Sequence, residues 1–188
     1  MKKKINSNIF RKQALKHLST TSREHRFVNY DKAKTVFLLF ESDSVEKNLL
    51  VRDIILSLQK DGKKVVAWGF VAKKNTATPV LPDFRILNQK QTDFFQKPYP
   101  AIILELQKMK FDLLIDLSLN TVTALQYFAL YANAFCKTGI KKSDLPIYDF
   151  LLDMDHIEPS TEPSEKAIDE LYLYNKIIFY LKSIQTND

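Results

Sequence analysis

Short, unbroken apolar runs recur along this chain, and segments with helical spacing separate them. The first two runs are TVFLLFE at residues 35–41 and KVVAWGFV at residues 64–71. Such runs are typical of strands that are buried on both faces, as in a parallel sheet. Between them, Asp43 and Glu46 are spaced as a capping box before an amphipathic helix, and Gly62 is placed to end it. The pattern predicts a strand, a helix and a second, parallel strand.

The same alternation continues along the rest of the chain. Ser164 is a suitable N-cap for a final amphipathic helix that ends near residue 184. We predict further strands at residues 84–87, 111–118, 135–140 and 148–153, and helices at residues 101–108 and 121–132. Strands alternating with helices define the α/β class. We therefore predict a three-layer, Rossmann-like, doubly wound and mostly parallel sheet of about five or six strands, with helices on both faces.

Two of the predicted strands share one sequence pattern. FDLLID at residues 111–116 and YDFLLD at residues 148–153 each contain an aromatic residue, Asp, three apolar residues and Asp. We favour convergence on the requirements of a buried parallel strand over duplication. In that interpretation the first Asp lies where the chain enters the sheet, and the second lies where it leaves.

Basic residues are concentrated in residues 1–34, which we call the basic extension. It contains ten Lys and Arg and two acidic residues, a net charge of +8, whereas the whole chain carries +6. Its apolar spacing favours a short helix at residues 8–18. Residues 35–188 are expected to form a single α/β domain. The asymmetry predicts that the extension contacts something anionic.

Four interpretations of the basic extension stay open. It fits an arm that binds RNA or a ribonucleoprotein, an interfacial helix on an anionic membrane surface, or a targeting presequence. It also fits a tail whose helix docks on its own domain. For an anionic partner, the expected contacts are Lys2, Lys3, Lys4, Arg11, Lys12, Lys16, Arg23 and Arg26.

Polar residues follow several predicted strands at the edge where doubly wound sheets bind ligands. Asp116 and Asp153 are the candidates for catalytic acids, because a carboxylate there is suited to act as a general base. Ser42, Asp43 and Ser118 are the candidates for ligand binding. The alternative is structural: Asp43 caps a helix, Asp116 accepts bonds from its own turn, and Asp153 lies in a solvated loop.

Several absences limit the chemistry. The chain has three glycines, and the turn after the first predicted strand is ESDSVEKN. That turn lacks the glycines of a dinucleotide fingerprint or a phosphate-binding loop. DMDHIE at residues 153–158 has no second histidine to complete a zinc site, and Cys136 is interpreted as a buried small apolar residue. We therefore predict no cofactor and no metal site. No apolar run is long enough to span a bilayer, and there is no secretory signal.

Much of the chain resembles a family of small proteins of unknown function typical of Bacteroidetes. The similarity rests on HRFVNYDKAKTVFLLFE, KDGKKVVAWGFV, FDLLIDLSLN, AFCKTGI and IYDFLLDMD. It implies a bacterial, cytoplasmic protein and implies no activity. The lone cysteine also fits a reducing compartment.

A shorter stretch resembles the N-terminal α/β domain of heptosyltransferase-type glycosyltransferases. The resemblance covers about 30 residues, from the 111–116 strand to Gly139. The chain is too short for the second domain that holds most of the nucleotide-sugar in those enzymes. The similarity therefore implies a related fold without the activity.

These observations favour a binding or assembly protein over an enzyme. The basic extension would contact RNA or a ribonucleoprotein. The alternative is a small Rossmann-like ligand-binding domain or enzyme, related to a glycosyltransferase half-domain, with a site at the carboxyl ends of the strands.

Overall fold

A computed structural model of the chain describes residues 2–71, 84–153 and 169–184, with side chains from residue 5 onward. The described residues form one six-stranded sheet in which every strand pair is parallel. The strands are β1 (Thr35–Glu41), β2 (Lys64–Val71), β3 (Arg85–Asn88), β4 (Lys110–Asp116), β5 (Asn133–Ile140) and β6 (Phe150–Leu152). The predicted α/β class and parallel sheet are confirmed.

The strand order places β1 and β4 side by side at the centre of the sheet. The order is β3-β2-β1-β4-β5-β6, so the chain builds outward from β1 in one direction and then from β4 in the other. This reversal is the topological switch point of a doubly wound fold, where the connections that leave β1 and β4 run in opposite directions along the sheet. Side chains that follow β1 and β4 therefore meet at one edge of the sheet.

Helices cover both faces of the sheet. The helices are α1 (Lys2–Thr20), α2 (Val45–Lys60), α3 (Pro100–Gln107), α4 (Thr123–Tyr131) and α5 (Glu170–Ser183). Apolar residues of α2 and α5 pack in one core, and those of α1, α3 and α4 pack in a second core on the other face. This three-layer arrangement confirms the predicted architecture.

The helix of the basic extension is longer than the sequence predicts. It runs from Lys2 to Thr20 and lies against α4. Ala14 is fully buried and Phe10 is 2% exposed. The Phe10 ring meets the Tyr127 ring edge to face, with 4.8 Å between centroids. Tertiary packing against α4 stabilises this helix, because a helix that begins with three consecutive lysines is marginal alone.

The N-cap of α2 differs from the one predicted. Ser44, rather than Asp43, caps α2 by accepting a bond from the Lys47 backbone N–H at 3.2 Å. The predicted capping box is therefore wrong, and Asp43 instead pairs with the Lys47 ammonium one turn along the helix. The described part of the last helix begins at Glu170 with Asp169 as its cap. The prediction for Ser164 lies outside the described residues, as does DMDHIE beyond Asp153.

Candidate functional site

Asp116 lies at the carboxyl end of β4 and is fully buried. Its carboxylate accepts bonds from the Ser118 N–H at 2.9 Å, the Ser118 hydroxyl, the Lys142 ammonium at 2.7 Å and the Tyr148 hydroxyl at 2.5 Å. Lys142 also donates to Ser118 Oγ at 2.5 Å. Burial and the adjacent Asp116 raise the pKa of Tyr148 well above its ordinary value. We call these four residues the Asp116 cluster. Protein donors occupy both carboxylate oxygens, and the cluster ties the turn after β4 to the loop after β5.

The residues that follow β1 are also engaged inside the protein. Ser42 is fully buried, and its hydroxyl donates to Asn48 Oδ1 at 2.9 Å. Glu41 accepts bonds from the backbone N–H and the side-chain amide of Asn120, at 2.7 and 3.1 Å. Asn48 Nδ2 is buried and has no hydrogen-bond partner within the described residues. These contacts join the exits of β1 and β4 across the switch point.

Asp43 and Asp153 lie apart from the Asp116 cluster. The Lys47 ammonium bridges Asp43 at 3.2 Å and the buried carboxylate of Glu170 at 3.0 Å. Burial lowers the pKa of Lys47, but the two carboxylates outweigh burial, so the net shift is upward. Asp153 is exposed and follows the edge strand β6, two strands away from β4. Among the sequence candidates at this edge, Asp116 and Ser118 are hydrogen-bonded to each other, whereas Ser42 bonds to Asn48 and Asp43 pairs with Lys47.

The partners of Asp116 were hard to predict. Lys142 and Tyr148 come 26 and 32 residues after Asp116, and no local pattern links them to it. The described part of the chain contains no group of three or more His, Cys, Asp or Glu placed to hold a metal ion. The Asp116 cluster is an internal ion pair whose hydrogen bonds are satisfied. Such a pair fixes the positions of the loops that it joins.

A different set of contacts holds the basic extension on the domain. Arg23 donates to the carbonyls of Ala134 and Phe135 at 2.6 and 2.9 Å, and its guanidinium also pairs with Asp149. The other oxygen of Asp149 accepts the Lys137 backbone N–H at 2.7 Å. Asp149 thus connects the extension to β5, and it directly follows Tyr148 of the Asp116 cluster in the chain.

Further contacts continue this attachment to the start of β1. The Arg26 guanidinium lies 4.0 Å from the centroid of the Phe135 ring. Asp112 accepts bonds from the backbone N–H groups of Lys34 and Thr35 at 2.8 and 2.9 Å. Burial alone would raise the pKa of Asp112. The hydrogen bonds from Lys34 and Thr35 lower it by a larger amount, so the net shift is downward. Arg23 and Arg26, which the sequence assigned to an anionic partner, therefore contact the domain itself.

Three other predicted cations project into solvent. Arg11, Lys12 and Lys16 are exposed on α1, and none of the three side chains forms an ion pair with a described residue. The sequence of α1 contains no acidic residue to compensate them. The predictions for Lys2, Lys3 and Lys4 lie outside the described side chains. The outer face of α1 is therefore a basic surface with a fixed position.

Lys137 is a buried cation that the sequence analysis did not identify as buried. It lies in β5, is 3% exposed, and donates to the carbonyls of Ala129 and Leu130 at 2.7 and 3.2 Å. Burial, with a smaller contribution from Arg23, lowers the pKa of Lys137 to about 7. The available signal was a lysine inside the otherwise apolar strand segment AFCKTGI. Its neighbour Cys136 is buried as predicted, and burial raises the pKa of that thiol to about 11.

The fold, the switch point and the docked α1 place this protein among doubly wound α/β proteins. The chain belongs to a family of unknown function, DUF6913, whose model matches residues 2–178. The match includes nearly all of the basic extension. No curated protein and no solved structure matches the chain. Within residues 2–71, 84–153 and 169–184, no helix combines the length and the apolar character needed to cross a membrane.

Replacing Asp116 by Ala tests whether the Asp116 cluster is an internal ion pair. The Lys142 side chain is only 4% exposed, so the change leaves a buried ammonium without its counter-charge. We expect the free energy of unfolding to fall by about 3–5 kcal/mol, measured by urea unfolding with the fluorescence of Trp68, the single tryptophan.

The matched control is Glu105→Ala, which breaks the exposed pair with Arg85 and should cost less than about 1 kcal/mol. The double variant Asp116→Ala, Lys142→Met should recover part of the loss, because it removes the unpaired charge. If Asp116→Ala costs no more than Glu105→Ala, the Asp116 cluster does not stabilise the fold.

The low pKa of Lys137 predicts a pH-dependent stability. From pH 7 to the ordinary lysine pKa of 10.5, the unfolded chain binds a proton at Lys137 that the folded protein does not. The free energy of unfolding therefore rises with pH in this window, by about 1.5 kcal/mol between about pH 7 and 8.5. At pH values well below 7, Lys137 is protonated in both the folded and the unfolded protein, so it no longer makes the free energy of unfolding depend on pH.

Urea unfolding of the natural protein and of Lys137→Met across this pH range isolates the effect. The rise should be present in the natural protein and absent in the variant. The range stops near pH 8.5 because the cysteine of the unfolded chain begins to ionise there. Equal pH slopes for the two proteins would show that Lys137 is charged when folded.

Proposed function

We propose that this protein is a non-enzymatic binding or assembly protein whose helix α1 contacts RNA, alone or within a ribonucleoprotein. One observation carries the proposal: α1 contains six Lys and Arg, has no acidic residue, and presents Arg11, Lys12 and Lys16 to solvent while it is packed on the domain. A basic helix surface without compensating carboxylates is suited to a polyanion, because phosphate contacts release condensed counterions.

The fixed position of α1 supports this proposal. Arg23, Arg26, Asp112 and Asp149 hold the segment after α1 on the sheet, and Phe10 anchors the helix in the core. Side chains on an anchored helix lose less freedom on binding than the same side chains on a disordered tail. The cations of α1 thus form a partly pre-organised surface.

The same packing argues against the membrane interpretation. Interfacial helices insert their apolar face among the acyl chains. In α1 the apolar residues Phe10 and Ala14 are buried against the domain and so cannot insert, which leaves Ile5 and Leu15 as the exposed large apolar side chains of the described part of this helix. A polymer of phosphates needs only the exposed cations, which favours RNA.

The alternative is a ligand-binding domain or enzyme at the carboxyl ends of the strands, with the fold relationship to a glycosyltransferase half-domain. The buried Asn48 amide at the switch point is the observation that favours it. The full hydrogen bonding of Asp116 weighs against a general base there. We further propose a bacterial, cytoplasmic setting, which fits the lone, buried cysteine.

Charge reversal on α1 tests the proposal. In Arg11→Glu, Lys12→Glu, Lys16→Glu, the affinity for a fluorescein-labelled RNA should fall about tenfold or more at low salt, because three phosphate contacts are replaced by repulsion. The dependence of log Kd on log salt should become shallower by ~2, since each lost contact releases fewer counterions. Fluorescence anisotropy over a salt series measures both.

A second triple variant controls for net charge. Lys60→Glu, Lys108→Glu, Lys176→Glu changes three exposed lysines outside α1 and should keep most of the affinity. Deleting residues 1–34 is a poorer test, because it removes Phe10 and Ala14 from the core. Equal loss in both triple variants, or no loss in the α1 variant, would refute the proposal.

A further inference from the structure

Helices α2 and α5 lie side by side and run in the same direction. Near their N-terminal ends, the Lys47 ammonium contacts the Glu170 carboxylate at 3.0 Å. At their C-terminal ends, the Lys182 ammonium lies 4.0 Å from the carboxylate of Asp61, the residue that caps α2. These two contacts set the level of one helix against the other along the length of the pair.

The outer surface of this helix pair is apolar. The inner surfaces of both helices pack in the core beneath them. The described residues include eleven exposed large apolar side chains, and six of these lie on α2 and α5, where they are 37–64% exposed. An exposed apolar patch of more than a few hundred Å² usually marks an interaction site. We call these six residues the α2–α5 face: Val45, Leu49, Leu56, Leu171, Phe179 and Tyr180.

The spacing of the exposed residues on α2 is that of a coiled-coil seam. Val45, Leu49, Arg52 and Leu56 follow one another at intervals of four, three and four residues. This is the a and d pattern with which one helix packs against another. Leu49 and Leu56 are each 47% exposed, and Arg52 is exposed between them. The described residues therefore leave a helix-packing seam open to solvent.

The seam is complementary to a reversed copy of itself. Leu49 and Leu56 are placed symmetrically on either side of the adjacent residues Arg52 and Asp53. An antiparallel copy of α2 therefore sets Leu49 opposite Leu56 and Arg52 opposite Asp53. A guanidinium has five N–H donors, so Arg52 can bind this carboxylate in addition to its contacts within the chain. Each pairing occurs twice in one interface, as a two-fold axis requires.

Helix α5 has the same symmetry. Leu171 and Phe179 lie four residues to either side of Asn175, and the contacts at the helix ends put Asn175 near the level of Arg52 and Asp53. One two-fold axis across the middle of both helices therefore stacks α2 on α2 and α5 on α5. It sets Leu171 opposite Phe179 and Asn175 opposite itself, where the two amides can hydrogen bond to each other.

The size of the α2–α5 face fits a reversible dimer. The two helices have 16 and 14 residues, so they are about 24 and 21 Å long, and side by side they are about 20 Å wide. Two such faces cover roughly 900 Å² in projection, which is in the range of weak, reversible protein complexes.

We propose that this protein forms a two-fold homodimer in which the α2–α5 face of one copy packs antiparallel on that of the second. The inference does not depend on the proposed RNA contact. Helix α1 lies in the helix layer on the other side of the sheet, so the dimer leaves the basic surfaces of both copies exposed.

Leu49→Lys, Leu56→Lys tests the dimer, because it sets ammonium groups opposite each other at two places. We expect the dimerisation Kd to rise about a hundredfold or more, measured by sedimentation velocity over a series from micromolar to millimolar protein. The melting temperature should change little, since both side chains are about half exposed in the monomer. Leu49→Lys, Leu56→Glu instead sets opposite charges against each other, so its dimer should be tighter than that of the double lysine variant.

The matched control is Leu104→Lys, which changes a leucine that is 58% exposed on α3, in the other helix layer. It should leave the dimerisation Kd unchanged.

Asn175→Cys tests the register of the dimer. The single natural cysteine, Cys136, is buried, so a short bis-maleimide reports on the introduced thiol alone. A covalent dimer should form with Asn175→Cys and not with Leu104→Cys. A natural protein that is monomeric throughout the concentration series would overturn the proposal. A dimer that withstands Leu49→Lys, Leu56→Lys, or that is not cross-linked through position 175, would also overturn it.

Discussion

The contact between Arg23 and Asp149 determines how the N-terminal residues of this protein relate to its sheet. Arg23 has a partly buried guanidinium, and Asp149 links it to the backbone of β5. A buried charge pair of this kind constrains position more than it adds stability, because desolvation offsets much of the attraction. Its consequence is geometric: the basic extension begins as a packed helix and then follows the amino ends of the strands to β1.

The carboxyl edge of the sheet has a different role from the basic extension. Doubly wound proteins bind ligands beyond the carboxyl ends of their strands, and here that edge contains Glu41, Ser42 and Asp116. Their polar groups are directed to Asn120, Asn48 and the other members of the Asp116 cluster. A fold does not determine a function, which resides in particular sites. In this protein the exposed, uncompensated charge lies in a helix layer, and we propose that binding occurs there.

Much of the fold could be predicted because parallel strands buried on both faces require unbroken apolar runs, and helices over them require spaced apolar residues. The repeated pattern in FDLLID and YDFLLD has a physical explanation in part. Asp112 and Asp149 both bind the basic extension where the chain enters the sheet, whereas Asp116 is buried and Asp153 is exposed. A shared pattern thus predicted one common role and missed the difference at the strand exits.

The contacts that form the candidate sites could not be predicted from local pattern. Arg23 and Asp149 are 126 residues apart in sequence, and Tyr127 and Gln13 are 114 apart. Charge alone assigned Arg23 and Lys12 to one class, although tertiary structure uses the first to hold the extension and exposes the second. Local competition also decided the cap of α2, where Ser44 has the extended backbone of a cap and its hydroxyl accepts the Lys47 N–H.

We propose that RNA contacts the exposed basic surface of α1, which contains Arg11, Lys12 and Lys16. Ultraviolet cross-linking of the natural protein to a single-stranded RNA, followed by mass spectrometry of the peptides, locates the contact without altering a residue. We expect adducts on the peptides that contain Lys12 or Lys16. Adducts confined to peptides from the carboxyl edge, around Asp116 and Lys142, would contradict it.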